Sequence, residues 1–526
     1  MKQVRRIDNN GNANSPSFRR SLPQQTVSRG PESSPPHESG LTKGLDSGLR
    51  RNDGGHFTSC RVTLAFAAIA MLSACAIGPD YQRPTLDIPA AYKETRDWKI
   101  AEPKDDLIRG KWWQVFADNS LNALASEINV SNQNLKAAEA RYRQATSLAQ
   151  STRAGLFPTA TANAGASRSR SSARTGASVT STAHTLGANA AWEVDLWGRV
   201  RRQVESGDAS AEASAADLEA VRLSLQSELA VSYFQLRVSD EQKKLFDDAI
   251  AEYEKSLQLT KNRYNVGVAA KSDVIQADAQ LKSTQAQVID LGVQRAQLEH
   301  AIAVLIGKAP AGFTLPPDKF TLTMPKMPAG MPSTLLERRP DIAAAERRVM
   351  AANAQIGVAK SAWFPTLSLS ASTSYSSPVF AELLNASNRA WSLGPQLALT
   401  LLDFGKRAAV TDQAVASWEQ TVANYRQTVL EGLQEVEDNL AALRILEQES
   451  KVQEDAVRSA RESVALTINQ YKAGTVSYLS VVTVQASLLS NERTAVSLLG
   501  RRLAAAVGLI RALGGGWNAA ELSPQK

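Results

Sequence analysis

Catalytic chemistry requires clustered acids, bases or nucleophiles, and this sequence of 526 residues offers few such clusters. Glu193 and Asp195 lie two residues apart, a spacing of paired carboxylates that acid–base catalysis could use. Gly514-Gly515-Gly516 lacks the Lys-Ser/Thr of a phosphate-binding loop and predicts the flexible end of a last helix. The four histidines are scattered and form no paired zinc motif: His37, His56, His184 and His300. The sequence therefore predicts a protein that is not an enzyme, with no metal site and no cofactor.

The surroundings of Cys75 suggest a lipid attachment site rather than a disulfide with Cys60. An apolar run of 11 residues, 62–72, precedes it and has the length of a signal-peptide core. The run leads into Leu72-Ser73-Ala74-Cys75, which resembles the lipobox at which a cysteine is acylated and becomes the mature N-terminus. An ordinary signal peptide with a chance cysteine is the alternative. Two or three acyl chains would anchor the protein stably, and in the lipoproteins that this pattern resembles, Ala76 favours the outer membrane.

The basic charge of the chain is concentrated in its first part. Residues 1–74 hold 10 of the 59 Lys and Arg but only 5 of the 52 Asp and Glu, which leaves 49 against 47 for residues 75–526. No basic stripe therefore remains that could follow a nucleic-acid backbone. Residues 1–60 are rich in Ser, Pro, Gly and Arg, a disordered composition that predicts a leader or a gene-model extension. Residues 61–74 then form the lipoprotein signal peptide.

An internal repeat organises the rest of the chain. Three short motifs recur with one constant offset of 207 residues, which chance would not maintain over more than 100 residues. The pairs are Phe157-Pro158-Thr159 with Phe364-Pro365-Thr366, Trp197-Gly198-Arg199 with Phe404-Gly405-Lys406, and Arg263-Tyr264 with Gln470-Tyr471. The sequence therefore predicts a tandem duplication, with repeat 1 at 118–309, a proline-rich linker at 310–332 and repeat 2 at 333–514. Residues 75–117 precede it as an anchor and collar segment, and 515–526 form a tail.

Proline-free stretches predict very long helices in each repeat. Residues 199–265 form one helix, a break falls at Gly267, and a second helix runs from about Lys271 to Leu305. The second copy repeats this from Lys406 to Lys472 and from Tyr478 to Leu513. A helix of this length reaches about 100 Å and implies coiled-coil packing rather than a compact domain. A cytoplasmic coiled-coil scaffold would match the helices alone.

Alternating segments between the helices argue against that scaffold. Apolar and polar residues alternate after Phe157-Pro158 and after Phe364-Pro365, and again before each long helix, in the return strands that end near Leu196 and Leu401. Period-two alternation over about 10 residues suits a strand of a transmembrane barrel. We expect the intervening loops, 167–184 and 376–391, to face outside. Glu193 and Asp195 then form a polar pair that faces the lumen at the mouth of the barrel.

Four strands cannot close a barrel, and an open sheet edge is excluded in lipid. The chain must therefore assemble. A dimer would supply eight strands, whose lumen fills with side chains, whereas a trimer or a larger assembly leaves an opening.

At this point the chain resembles the outer-membrane efflux factors of the TolC-like superfamily, and among them the OprM/NodT-type lipoproteins of RND multidrug pumps. The resemblance covers about 75–517. It rests on Cys75 with Gly78-Pro79-Asp80-Tyr81 and Arg83-Pro84, Trp112-Trp113, Trp192-Glu193-Val194-Asp195-Leu196-Trp197-Gly198-Arg199, Leu336-Glu337-Arg338-Arg339-Pro340-Asp341-Ile342, and Ala512-Leu513-Gly514-Gly515-Gly516-Trp517.

The resemblance implies a mainly α-helical fold with a transmembrane β-barrel. Three chains would form a 12-stranded barrel in the outer membrane and a long coiled-coil tunnel in the periplasm, with a collar from the chain ends and linker. Its implied function is a passive exit duct for drugs or other small molecules. The implied partners are two further chains, outer-membrane lipid, a periplasmic adaptor and an inner-membrane RND pump. A type I secretion duct and a purely structural lipoprotein are the alternatives, and the cargo stays open.

The helix-turn-helix ends are the predicted functional site. By resemblance, the periplasmic tips contact the adaptor and open like an iris. The tip residues are Tyr264, Val266, Gly267, Val268, Tyr471, Gly474, Thr475 and Val476. Relatives often carry an Asp near the second tip, where this chain has Thr483, and an Arg where it has Ala486. We therefore expect a gate built differently, from an apolar constriction at Tyr478 and Leu479 or from acidity at Asp273.

Overall fold

The computed structural model describes residues 76–86, 89, 91–95, 111–172, 178–318 and 338–517. All of them belong to the unit that spans Ala65–Lys526. Cys75, the signal peptide, residues 319–332 of the linker and residues 518–526 of the tail lie outside the described residues.

Seven α-helices and four β-strands make up the described part of the chain. The helices are α1 (Asn119–Ser131), α2 (Gln133–Ala154), α3 (Arg199–Asn265), α4 (Lys271–Leu305), α5 (Pro340–Ser361), α6 (Lys406–Ala473) and α7 (Tyr478–Ala512). The strands are β1 (Thr159–Ser172), β2 (Ser178–Val194), β3 (Thr366–Ser377) and β4 (Arg389–Ala398). A short 3-10 helix, Trp112–Phe116, lies immediately before α1.

The element bounds confirm the duplication. A shift of 207 residues carries α2 onto α5 and α4 onto α7 at both ends, and it carries the first residue of α3 onto the first residue of α6. The helices α3 and α6 contain 67 and 68 residues, so each is about 100 Å long. Each pairs with the helix that follows it, α3 with α4 and α6 with α7, and α3 also packs against α5 and α7. The described helices do not combine the length and the mean hydropathy that crossing a membrane requires.

The four strands form one antiparallel sheet in the order β1-β2-β3-β4. Ala162 faces Ala188, Trp192 faces Leu369, and Leu367 faces Leu397, so the register brings the apolar positions of all four strands to one face. The opposite face is polar, and Asn189 Nδ2 there donates to Asn163 Oδ1 across 3.1 Å. The predicted alternation is therefore confirmed as a sheet with one apolar and one polar face.

The predicted loop bounds are wrong, because the strands extend into both loops. The first hairpin continues through Ser172 and resumes at Ser178, within the predicted loop 167–184. The hydroxyls of Ser169 and Ser181 are 3.0 Å apart there, so polar cross-strand pairs continue the ladder where apolar alternation has ended. The last strand ends at Ala398, so Leu399 and Leu401 lie beyond it.

The largest apolar core lies where α1, α3, α5, α6 and α7 come together. Trp112 and Trp113 are each 2% exposed within it, and the Trp112 indole N–H donates to Gln226 Oε1 at 3.2 Å. Arg339 precedes α5, where its guanidinium pairs with Asp341 and Glu435 and donates to the Ala512 carbonyl. This buried cation ties the start of α5 to α6 and to the end of α7.

The glycines after α7 are close-packed, which contradicts the predicted flexible end. A Cβ atom on Gly514 would collide with the Arg338 carbonyl, and one on Gly515 would collide with the Leu223 side chain. Trp517 follows and packs against Ala216, Ala343 and Ala344. Glycine is required here because the chain end is pressed against the core.

Candidate functional site

Two tight turns end the helical hairpins, one between α3 and α4 and one between α6 and α7. Gly267 and Gly474 occupy them with φ of 77° and 79°, the left-handed conformation that glycine adopts at little cost. The Gly474 N–H donates to the Tyr471 carbonyl at 3.0 Å and caps the end of α6. Both predicted breaks are therefore confirmed as turns.

The residues predicted to contact an adaptor divide into exposed and buried sets. Val266 and Val268 are 73% and 62% exposed on the first turn, and Tyr264 is 44% exposed beside them. Thr475 is exposed on the second turn, whereas Tyr471 is buried in the protomer. The first turn thus presents three apolar side chains to solvent, where a partner could cover them.

A small apolar cluster joins the two hairpins just behind the turns; we call it the tip cluster. Its buried members come from α3, α4, α6 and α7: Tyr253, Leu257, Ala277, Leu281, Tyr471, Tyr478 and Val481. The Tyr471 and Tyr478 rings meet edge to face, with centroids 5.4 Å apart. The Tyr478 hydroxyl is 3.1 Å from Ser256 Oγ of the other hairpin.

The guanidinium of Arg263 fastens the two turns together, a role that sequence reasoning missed. Its Cζ lies 4.7 Å from the centre of the Tyr471 ring, and its Nη1 donates to the Lys472 carbonyl at 3.1 Å. A planar cation can stack and donate at the same time, which a lysine cannot do equally well. The repeat could have drawn attention to Arg263, because this charged residue aligns with the uncharged Gln470 in the second copy.

The predicted gate residues lie in different environments. Leu479 is 56% exposed, whereas Tyr478 is 2% exposed in the tip cluster and is not available to line a passage. Thr483 is exposed, and its hydroxyl donates to the Leu479 carbonyl of its own helix at 2.9 Å. Asp273 is half-buried in the first turn of α4. Burial raises the pKa of the Tyr478 phenol, the Ser256 hydroxyl opposes this, and the charge of Asp273 adds to it, so Tyr478 stays neutral.

A second site lies where the sheet meets the helices. The indole of Trp192 donates to the Leu156 carbonyl at 3.0 Å, and that of Trp197 donates to the Pro365 carbonyl at 2.6 Å. The Trp197 ring also packs against Phe364 with centroids 4.9 Å apart. One side chain thus joins the base of the first β-hairpin to the base of the second.

Glu193 and Asp195 belong to this strand–helix junction. Glu193 lies opposite Ser368 on the polar face of the sheet, and the orientation of the pair toward a lumen stays a prediction. Glu193 accepts two hydrogen bonds from Arg199, at 2.8 and 2.6 Å. Asp195 lies past the end of β2 and accepts the backbone N–H groups of Val200 and Arg201 at 3.1 and 2.9 Å. It therefore caps α3, as carboxylates do at helix N-termini.

Residues 76–86 form a strap that runs from this junction along the helices. Ile77 N–H donates to the Trp197 carbonyl at 3.0 Å, so the residues that follow Cys75 are fixed beside the end of β2. Further along, the carboxylate of Asp80 pairs with Arg202 at 2.8 Å, and the carboxylate of Glu346 accepts from the Tyr81 hydroxyl at 3.1 Å.

The strap passes directly over α5. At that crossing a Cβ atom on Gly357 would lie 2.7 Å from the Ile77 carbonyl oxygen. Asn353 Nδ2 donates to the Pro79 carbonyl at 2.9 Å one turn away. Residues 93 and 94 continue the contact further down, where both of their N–H groups donate to Glu437 of α6.

Comparisons with known proteins agree with this architecture. The family model described as outer membrane efflux protein matches residues 124–308 and 331–515. The cation efflux system protein CusC of Escherichia coli is 30% identical over 458 residues, 86% of this chain and 98% of CusC. The probable efflux pump outer membrane protein TtgC of Pseudomonas putida is 31% identical over 467 residues, 88% of this chain and 96% of TtgC. The solved structure of the outer-membrane channel OprN matches with a TM-score of 0.79 and 32% identity, covering 84% of this chain and all of OprN.

The crossing of the strap over α5 predicts opposite effects for the same substitution at two helical glycines. Gly357→Ala forces a Cβ atom against Ile77 and Arg202, so we expect the free energy of unfolding to fall by about 1–3 kcal/mol. In Gly292→Ala of α4 the added Cβ atom meets no atom within 4 Å. We therefore expect the free energy of unfolding to rise by about 0.5–1 kcal/mol, because alanine favours a helix more than glycine does. The midpoint of thermal unfolding, followed by circular dichroism, should fall for the first variant and rise for the second. A higher unfolding midpoint in both variants would contradict the close contact between the strap and α5.

The contacts of Arg263 predict that its removal increases local opening of the two turns. Arg263→Ala removes a cation–π contact and a hydrogen bond, together about 1–2 kcal/mol, so amides at 264–270 and 471–477 should exchange about 5- to 30-fold faster. Arg263→Lys should lie in between, because its ammonium cannot stack and donate in the same way. Hydrogen exchange read by mass spectrometry checks this, with the exposed neighbour Lys261→Ala as the control. Equal protection in Arg263→Ala and Lys261→Ala would show that Arg263 does not hold the turns.

Proposed function

Because this chain belongs to the outer membrane efflux protein family, we propose that it is the outer-membrane duct of a tripartite efflux system. In this role it passes drugs or other small molecules from the periplasm to the exterior, catalyses no reaction and supplies no energy. The family and the relatives compared are channel proteins rather than enzymes. One observation carries the proposal. The same chain combines two long helical hairpins with an open sheet that has one apolar face.

The open sheet supports assembly into a trimer. Within the described residues, β1 pairs only with β2 and β4 pairs only with β3, so each has an unpaired edge. Lipid cannot solvate the N–H and C=O groups of such an edge. If β4 of one chain pairs with β1 of the next, three chains give a closed barrel of twelve strands, with the apolar face toward lipid and the polar face toward the lumen.

The position of the strap supports lipidation of Cys75. Ala76 lies so close to Gly198 that a Cβ atom on Gly198 would be 2.8 Å from the Ala76 Cα atom, so the strap begins at the base of the sheet. Acyl chains on Cys75 would start where the apolar strands end, which is the level of the membrane surface. The mature protein should carry acyl groups on an N-terminal Cys75, which mass spectrometry of the N-terminal peptide detects. Cys75→Ser removes the acylation site together with the processing that depends on it, so that variant should carry no lipid. Equal lipid content in both would exclude the assignment.

The exposed turns support contact with a periplasmic adaptor. Val266, Val268 and Tyr264 form an apolar patch on one turn, and Thr475 and Val476 lie on the other. Tyr471 and the two glycines would act beneath this surface, by fixing the turns rather than by touching the adaptor. An inner-membrane RND pump would supply the energy through that adaptor.

The family model also supports the proposed division of the chain. Its two matches, 124–308 and 331–515, fall on the proposed repeats at 118–309 and 333–514. Residues 310–332 then serve as the linker, and residues 75–117 carry the anchor and the strap.

A duct should bind its cargo weakly, so that cargo entering from the pump also leaves. Control then depends on the width and polarity of the narrowest point. We assign this point to Leu479, the exposed apolar residue beside the buried Tyr478, with Asp273 and Thr483 as polar neighbours of the same region. Hydrophobic constrictions close by excluding water, which needs no charged ring.

Single-channel recording in planar lipid bilayers tests the duct and its gate. Leu479→Ala should raise the conductance severalfold, because a shorter side chain lets water and ions remain in the constriction. The matched control is Leu430→Ala in α6, since Leu430 is also 56% exposed but lies far from the turns. Conductance unchanged by Leu479→Ala would overturn the gate assignment, and no conductance from any variant would overturn the duct.

A further inference from the structure

A cavity of about 280 Å³ lies between the two hairpins, next to the tip cluster on the side away from the turns. Its walls come from α3, α6 and α7, so both repeats contribute. The apolar part of the lining consists of Leu245, Ala249, Tyr253, Val464, Ile468, Leu488 and Leu489. A space of this size accepts a small organic molecule but not a folded segment of protein.

The cavity is bounded at both ends by contacts between the hairpins. Toward the turns, Tyr253 of α3 packs in the tip cluster with Tyr478. Away from the turns, the Arg493 guanidinium of α7 lies 5.0 Å from the centre of the Phe246 ring of α3. The space is therefore a gap between two points at which the hairpins are already joined.

Gln485 gives this gap a specific polarity. The residue lines the cavity and is 6% exposed, and its Oε1 atom accepts no hydrogen bond from any residue that the structure describes. A buried acceptor without a donor costs about 1–3 kcal/mol. A ligand that donates a hydrogen bond to this atom would recover that cost.

The charged residues around the cavity favour a cationic donor. Asp248, Glu252 and Glu492 line it, against one cation, Arg461. Arg461 is engaged by Glu492 at 2.7 Å, and Glu252 pairs with Lys255 at 2.8 Å, so Asp248 is the remaining carboxylate at the rim. A carboxylate beside a buried acceptor and an apolar wall complements a protonated amine on an apolar body.

We propose that this cavity binds a small organic ammonium ion, whose N–H donates to Gln485 and whose apolar part lies against Leu489 and Ile468. Because its walls belong to both hairpins, a bound amine joins them at a third point and holds their packing. The site stands apart from the proposed duct function, since binding is measured on the purified protein without transport. Failure of one therefore leaves the other intact.

The probe for this site is 4-fluorophenethylamine, titrated into the purified full chain and followed by fluorine NMR. Wild type should bind it in the fast-exchange range. Gln485→Leu keeps the apolar volume but removes the acceptor, so we expect about tenfold weaker binding, as for loss of one hydrogen bond to a charged group. The neutral analogue 2-(4-fluorophenyl)ethanol should bind wild type more weakly than the amine does.

Asp248→Asn provides a variant at an exposed position that should fold normally. It should weaken amine binding about two- to fivefold, less so at high salt, as for a partly screened surface charge. Asp290→Asn in α4 is the matched control, because it removes the same charge from an exposed position outside the cavity lining and should leave binding unchanged. No binding to wild type, or equal binding of the amine to wild type, Gln485→Leu and Asp248→Asn, would overturn the proposal.

Discussion

The backbone of β1 and β4 imposes the constraint on which the rest of the structure depends. Each of these strands has hydrogen-bonding groups with no partner in the described chain, and the sheet that they border carries an apolar face. Water would satisfy such groups but would not cover the apolar face, whereas lipid would cover the face but leave the groups unsatisfied. Pairing with further copies of the same sheet meets both demands. In the proposed trimer the long helices would lie side by side around a common axis, because they continue the paired strands.

The strand–helix junction fixes the helices to the sheet. Trp197 joins the two β-hairpins, Asp195 caps α3, and the strap begins beside the same residues. At the opposite end of the helices the tip cluster, the hydrogen bond between Tyr478 and Ser256 and the guanidinium of Arg263 hold the two turns together. The tip cluster is much smaller than the largest apolar core, which fits the proposed duct with tips that open.

Much of this fold could be predicted from the sequence, because its elements are long and repeated. Proline-free stretches and the glycines at 267 and 474 predicted the four longest described helices to within a residue or two, and the common offset predicted the second copy. The presence of the sheet could be predicted from apolar alternation, but the length of its strands could not. The hairpin ends are serine- and arginine-rich, and they pair through backbone and hydroxyl groups that leave no apolar pattern. The glycines after α7 seemed free in sequence because the residues that confine Gly514 and Gly515, Arg338 and Leu223, are distant in the chain.

The candidate site was predictable in position but not in arrangement. Tyr478 lies seven positions after Tyr471, and only the packing of the hairpins decides that both are buried while Leu479 is exposed. The contact of Arg263 with Tyr471 likewise crosses between repeats, and helical periodicity carries no information on it. The most direct test of the central claim is imaging of the detergent-extracted particle by electron cryomicroscopy. A threefold particle in which β4 of one chain pairs with β1 of the next is the predicted result. A particle with one or two chains, or one with free sheet edges, would contradict the account.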